Sequence, residues 1–322
     1  MKFWTLVFSL ILRTCVEAHS IVFVHLGPSI PEHVPYTIQQ ARKFNPDCPI
    51  YLIANEAALE KSQGIEATCV TAESLTPSDA HVYFRNHTTL DVGLNGFWIY
   101  TSERFFYLEE FMSQQNLSDV FHLENDVLLY ADLKLLLPAF RKNYSDKIGT
   151  TFEKDFRCVP GFLYIPRTEP LSRLVQFMAE RSESGDADMV SIGKFRFYHG
   201  AWIDLLPIAT MEYINDHEPL RSPGGEVSKE SKSYGKFVDD FQSLFDAAAL
   251  GIFLGGDDPR YHETRVGTIN PNCVFNASYC QIDWELDGQG RRIPILVYKG
   301  KRTKINNLHM TNKTLIPEMV QS

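Results

Sequence analysis

The chain has 322 residues, is 44% hydrophobic and 22% charged, and carries a formal net charge of −9. That composition excludes a disordered or fibrous chain and provides ample apolar material for a core. The acidity excludes a general nucleic-acid binder, which needs a basic face, but leaves room for a small anionic ligand in a local basic pocket.

Taken in order, the N-terminus reads as a processing segment. Lys2 precedes an apolar run from Phe3 to Leu12, and Val16-Glu17-Ala18 supplies small residues at a cleavage position. Ten helical residues cover only ~15 Å of a ~30 Å hydrocarbon core. Residues 1–18 are therefore expected to be a cleaved signal peptide, with no membrane span afterwards. Asn86, Asn116, Asn143, Asn276 and Asn312 stand in Asn-x-Ser/Thr sequons, so the expected location is the secretory lumen or outside the cell. Cys48, Cys69, Cys158, Cys273 and Cys280 remain after cleavage, and an odd number leaves at least one unpaired within the chain. In an oxidising lumen Cys273 is expected to pair with Cys280 across a short loop, with Cys48–Cys69 as the competing pair.

Ile21–His25, Ile50–Ala54 and Ala67–Thr71 read as strands alternating with helices over Tyr36–Phe44 and Glu56–Gln63. Such alternation predicts parallel pairing with right-handed crossovers. Ligands then bind beyond the carboxyl ends of the strands, where His25 and Asn55 stand. Trp98, Phe105, Leu108 and Met112 form one stripe of a helix over Phe97–Met112 that also carries Arg104.

Next come Val120-Phe-His-Leu123, then Glu124-Asn125-Asp126, then Val127-Leu-Leu129. Alternate residues of an extended chain point the same way, so Glu124 and Asp126 face one spot at a buried strand end. Two like charges there call for a cation, and hard oxygen ligands suit Mg²⁺ or Mn²⁺. Other alternate acids, Glu153/Asp155, Asp186/Asp188 and Asp283/Glu285/Asp287, lie in polar surroundings and read as solvated faces.

Lys147–Phe152 and Gly161–Ile165 are predicted strands, with a turn at Cys158–Gly161. A helix opens at Pro170. Ser182–Lys236 reads as irregular apart from a helix over Ala201–Tyr213, with an exposed loop at Lys229–Lys236. A helix over Phe241–Leu254 carries Asp246 and runs into Gly255-Gly-Asp-Asp-Pro-Arg260. The strand Ile293–Lys299 leads into a basic set, Lys299, Lys301, Arg302 and Lys304, and then Asn306-Asn-Leu-His309. Lysines can neutralise a diphosphate, and a neutral imidazole can complete a metal shell.

The pattern resembles the GT-A nucleotide-diphospho-sugar glycosyltransferases. Glu124-Asn125-Asp126 is similar to that family's Asp-x-Asp motif with Glu in first place. Arg104 resembles an arginine on the preceding helix that sits near the nucleotide, and His309 a late metal-completing histidine. Phe245-Asp-Ala-Ala-Ala-Leu-Gly251 with the Gly-Gly-Asp-Asp-Pro-Arg run is similar to a little-characterised group of secreted or bacterial members.

The resemblance implies an α/β fold of GT-A type, a Rossmann-like central mixed sheet flanked by helices. It implies one domain over 19–322, with a nucleotide-binding half at about 19–133 and an acceptor half at about 134–322. Mn²⁺ or Mg²⁺ would sit on Glu124, Asp126 and His309. The sugar nucleotide, a UDP-sugar favoured, would be held by His25, Asn55, Arg104, Lys299, Lys301 and Lys304. Asp246 and Asp257 are the candidate bases for an acceptor hydroxyl; for Asp258, before Pro259, a turn role is the better reading. The acceptor would bear carbohydrate, and no nucleic acid is implied. Competing readings are a metal-dependent glycosidase or phosphoesterase and a non-catalytic carbohydrate-binding module.

Overall fold

The structure is a computed structural model that describes residues 19–91, 93–258 and 265–321. The expected signal peptide, residues 1–18, lies outside the described residues. The strands are β1 (Ser20–His25), β2 (Ile50–Ala54), β3 (Thr68–Thr71), β4 (Val120–Leu123), β5 (Val127–Leu129), β6 (Ile148–Lys154), β7 (Arg157–Ile165), β8 (Ile203–Leu205), β9 (Ser243–Leu244), β10 (Gln281–Leu286), β11 (Arg292–Tyr298), β12 (Lys301–Ile305) and β13 (Asn307–His309). The helices are α1 (Val34–Phe44), α2 (Glu56–Leu59), α3 (Asp79–His87), α4 (Gly93–Gln115), α5 (Leu133–Asn143), α6 (Thr168–Glu180), α7 (Asp188–His199), α8 (Met211–His217), α9 (Val238–Phe241), α10 (Leu250–Gly255) and α11 (Ile316–Gln321).

Seven strands form the central sheet in the order β3-β2-β1-β4-β7-β6-β8. The first four in that order run parallel, while β7 is antiparallel to both β4 and β6. The sheet is thus mixed and flanked by helices, as expected, and the period-two alternation of its strands shows why. Ile21 and Phe23 of β1 pack with Val34, Ile38 and Ala41 of α1 and Phe140 of α5 on one face. Val22 and Val24 face the other way, into the cluster that holds Phe105, Leu108 and Met112 of α4 and Leu171 and Leu174 of α6. The start of α1 is helped by Pro35 in its first turn, and the helix ends at Asn45 before Pro46.

A second sheet, β10-β11-β12-β9, and the pair β13-β5 complete the structure. The β13-β5 pair matters most. It is antiparallel and sets His309 opposite Val127, one residue past the acid pair.

Several local expectations are overturned. The turn placed at Cys158–Gly161 is continuous strand in β7, and the reversal falls earlier, between Lys154 and Arg157. The stretch Ser182–Lys236 contains α7, β8 and α8 rather than one helix over 201–213. Lys229–Lys236 is no simple exposed loop, because Ser231, Tyr234 and Gly235 are buried in a 3₁₀ turn. The helix expected over Phe241–Leu254 is broken into α9, β9 and α10, with Asp246 in the loop between β9 and α10. Its apolar run is buried on all sides, and periodicity cannot separate strand from helix in such a run. The five described cysteines are all free, so neither Cys273–Cys280 nor Cys48–Cys69 is bonded. Glu153 is buried and paired with Arg157 at 2.5 Å rather than solvated. Asp188 is buried as well.

Candidate active site

β4 is entirely buried, so its carboxyl end delivers the chain to one fixed place. There the Glu124 amide donates to the Gly161 carbonyl of β7 at 3.0 Å, and the Val127 amide turns back to the Glu124 carbonyl at 3.1 Å. Thr37 of α1 pins the middle of the loop, donating to the Asn125 carbonyl at 2.9 Å. Across β13-β5 the Met310 amide donates to the Asp126 carbonyl at 2.9 Å. These bonds bring His309, distant in sequence, against the acids. Its Nε2 lies 3.2 Å from Glu124 Oε2 and 3.4 Å from Asp126 Oδ1. One ligand atom from each of Glu124, Asp126 and His309 falls within 4.8 Å of the others.

Two glycines make room for that histidine. A Cβ on Gly161 would come within 2.7 Å of His309 Nδ1, and one on Gly251 within 2.0 Å of the His309 carbonyl oxygen. Asp246 fixes the same strand from behind. Its carboxylate accepts the amides of Ala249, Leu250, Gly251 and His309, each at 2.8–2.9 Å. Asp246, a sequence candidate for acid–base work, is therefore a fully engaged anchor of the His309 strand, because both of its oxygens are occupied by backbone donors.

The cationic partners differ from those expected. Lys313, four residues beyond His309, sets its Nζ 3.2 Å from Asp126 Oδ2. Lys299 instead pairs with Asp216 at 2.8 Å on the surface, and Lys301 and Lys304 border other hollows. The three lysines lie on the second sheet or its hairpin turn, and none of them lines the cleft over the cluster. Arg104 of α4 is buried between Glu124 and Asp188, 2.7 Å from the latter's Oδ2. Lys313 escaped the sequence reading, and Asp188, read there as part of a solvated face, is instead a buried partner of Arg104. The only signals for them were a basic residue one helical turn after His309 and an acid opening α7.

The electrostatics follow from this packing. Burial alone would raise the Asp126 carboxyl, but Lys313 and His309 together hold it well below the usual carboxylate range. Burial disfavours charge on His309 too, yet Asp126 and Glu124 carry its pKa up to about 9. Asp188 is pushed up to about 6 by burial, against the pull of Arg104. The metal-free site is charge-balanced by Arg104, Lys313 and a protonated His309. Two carboxylate oxygens and one imidazole nitrogen converging on a single point form a donor set that fits Mn²⁺ or Mg²⁺.

A cleft of about 390 Å³ opens over the cluster, walled by His25, His33, Tyr100, Arg104, Glu124, Asn125, Asp126 and Lys313 among others. His25 thus reaches the site, with its Nδ1 2.9 Å from the Asn125 amide nitrogen. Asn55 borders the adjoining hollow, where it accepts the Gly27 amide at 2.8 Å and donates to Glu73. Asp257 accepts the Asp258 amide. The residues just before it are tied to the turn after His309, since Thr311 and Asn312 donate to the Gly256 and Gly255 carbonyls.

No family model matches this sequence, and no curated protein matches it. Solved structures similar to the fold include mouse xyloside xylosyltransferase 1 in its apo form, at 9% identity and a TM-score of 0.40, covering 68% of this chain and 94% of that one. The galactosyltransferase LgtC in complex with donor and acceptor sugar analogues gives 12% and 0.41, covering 61% and 77%. A CMP-2-keto-3-deoxy-manno-octonic acid synthetase complexed with CTP gives 12% and 0.35, covering 60% and 90%. Likenesses at that level leave donor, metal and acceptor to be read from the site alone.

Proposed function

We propose that this protein is a metal-dependent glycosyltransferase of the GT-A type, taking a sugar from a nucleoside diphosphate, a UDP-sugar favoured, to a carbohydrate-bearing acceptor. The observation that carries the reading is the convergence of Glu124, Asp126 and His309 at the carboxyl end of β4, inside a cleft that also presents Lys313. A bound Mn²⁺ or Mg²⁺ would supply Lewis-acid stabilisation of the departing diphosphate.

The chain's own residues do the rest. Glu124 and Asp126 each offer a carboxylate oxygen, and His309 offers Nε2 once its proton leaves. Arg104, braced by Asp188, holds Glu124 in place. Lys313 adds positive charge where the phosphates would lie. If the reaction inverts the anomeric centre, Asp257 is the proposed base for the acceptor hydroxyl, because its loop is tied to the turn after His309. The apolar leader and the exposed sequons Asn86 and Asn116 support a secretory location. Asn312 is a poor glycan acceptor, being buried and bonded to Gly255. Among the described residues no helix is long and apolar enough to cross a membrane.

The glycosidase reading fares worse on geometry. A glycosidase sets two acids astride a bond at about 5–10 Å, whereas Glu124 and Asp126 close on one imidazole nitrogen, with one ligand atom of each within 4.8 Å. The test is a panel of nucleotide sugars with Mn²⁺, read as release of nucleoside diphosphate. The expected result is release from one donor, abolished by chelation and by Asp126→Asn. Cleavage of simple glycosides or phosphomonoesters, with no turnover of any nucleotide sugar, would overturn the reading.

A further inference from the structure

Three aromatic side chains stand in solvent on one patch. Phe156, at the tip of the β6–β7 hairpin, is 49% exposed, and Phe197 and Tyr198, near the end of α7, are 63% and 62% exposed. The ring centroids of Phe156 and Phe197 are 5.3 Å apart at an interplanar angle of 57°, and those of Phe197 and Tyr198 are 5.0 Å apart at 82°. Rings tilted in this way leave one another's faces open. The backbone fixes the arrangement, because the hairpin tip sits on Gly193 of α7, where a Cβ would come within 2.0 Å of the Phe156 carbonyl oxygen. A contiguous apolar patch held open to water marks a binding surface.

Size, charge and position select the occupant. At ~200 Å² per ring the open area comes to about 350 Å², well below the roughly 800 Å² per partner of a stable protein interface. The cations beside the rings are already neutralised, Lys154 by Glu226, Arg157 by Glu153 and Arg196 by Glu230, so these neighbours offer no free charge to an anionic ligand. A small, uncharged ligand with apolar faces and a polar rim fits, and a sugar ring has that chemistry. Its C–H bonds meet the electron-rich face of an aromatic ring, and its hydroxyls can exchange hydrogen bonds with a group such as the exposed Tyr198 hydroxyl. The position points to the acceptor. α7 starts at Asp188, which holds Arg104, and β7 passes Gly161, which lies against His309. At ~1.5 Å per helical residue Phe197 stands about 14 Å along α7 from Asp188, and at ~3.3 Å per strand residue Phe156 stands about 16 Å along the chain from Gly161. One sugar does not span that distance, whereas a short chain of sugars does.

We propose that Phe156, Phe197 and Tyr198 form a platform for a neutral oligosaccharide, the far part of an acceptor chain whose end lies at the metal cluster. The acceptor role rests on the transferase reading, and the binding itself does not. It is tested by calorimetry on the full chain with maltohexaose, cellohexaose, xylohexaose, mannohexaose and chitohexaose, each beside its monosaccharide. One of these hexasaccharides should bind, with its monosaccharide weaker by about tenfold or more. Phe197→Ala and Phe156→Ala should each weaken that hexasaccharide about tenfold, the size of one stacked ring, while UDP and Mn²⁺ affinities stay within about twofold. Phe197→Trp should keep the binding, which separates stacking from a folding role. No binding by any of the five, or binding indifferent to both alanine substitutions, would overturn the proposal. So would a wild-type dimer in sedimentation that Phe197→Ala dissociates, because the patch would then join two copies of the chain. If a hexasaccharide binds at the patch but no nucleotide sugar is turned over, the binding site stands and the transferase reading fails. If sugar is transferred to an oligosaccharide at a rate blind to both alanine substitutions, the proposal fails alone.

Discussion

Metal binding at this site should be strongly coupled to pH, because the imidazole that must give a lone pair to the ion holds a proton instead. With a pKa of about 9, His309 is neutral in roughly one molecule in a hundred at pH 7. The apparent Mn²⁺ affinity should therefore rise about tenfold per pH unit from 7 towards 9, with about one proton released per ion bound. Calorimetry under argon at several pH values, each in two buffers of unlike ionisation heat, measures both quantities. His309→Gln should abolish the slope and the proton release. An affinity flat across that range, with no proton released, would refute the reasoning. The metal-free protein obeys the same linkage. A folded pKa above the unfolded 6.5 means stability fully present below pH 6.5 and lost as pH rises through about 9. The loss is roughly 3 kcal/mol. Asp126 is shifted the other way, so its contribution disappears only as pH falls through the carboxylate range.

Other substitutions separate the parts of the site. Lys313→Ala should weaken UDP binding several-fold yet leave Mn²⁺ affinity unchanged or higher, since it removes a cation 3.2 Å from Asp126; calorimetry with each ligand reads both. Gly251→Ala would force a Cβ to 2.0 Å from the His309 carbonyl, and should lower stability in urea by about 1–3 kcal/mol or more. Gly161→Ala meets side chains rather than backbone, His309 Nδ1 at 2.7 Å and Val127 Cγ2 at 3.1 Å, so it should weaken Mn²⁺ binding more than it lowers stability. Asp188→Ala leaves Arg104 to Glu124 alone; it should reduce Mn²⁺ affinity in a folded protein, and circular dichroism checks that the fold survives.

The parts of this fold that were legible in the sequence share a physical cause. Strands β1, β2 and β4 are short apolar runs bounded by Gly, Pro or paired acids, and the Trp98, Phe105, Leu108 and Met112 positions of α4 all pack on the core. The acid pair stood out because apolar residues bracket it, and His309 because a basic run leads into it. What escaped depends on long-range packing. Arg104 meets Asp188 across 84 residues, and nothing local in Ala187-Asp188-Met189 reports a buried charge. The run from Ser243 to Ile252 is buried without interruption, which hides the break where Asp246 turns to hold the His309 strand. The basic density at Lys299–Lys304 drew attention from Lys313. A count of charges along the chain says nothing about which face a β-hairpin presents.

The central claim is that Glu124, Asp126 and His309 together hold a divalent ion. Pulsed electron paramagnetic resonance of the Mn²⁺-loaded protein at pH 8 tests it most directly, because a directly bonded imidazole nitrogen couples to the manganese spin. The account predicts one bound Mn²⁺ per chain with a nitrogen coupling that vanishes in His309→Gln, and no bound ion in Asp126→Asn. Bound Mn²⁺ without a nitrogen coupling, or a coupling that survives the loss of His309, would contradict it.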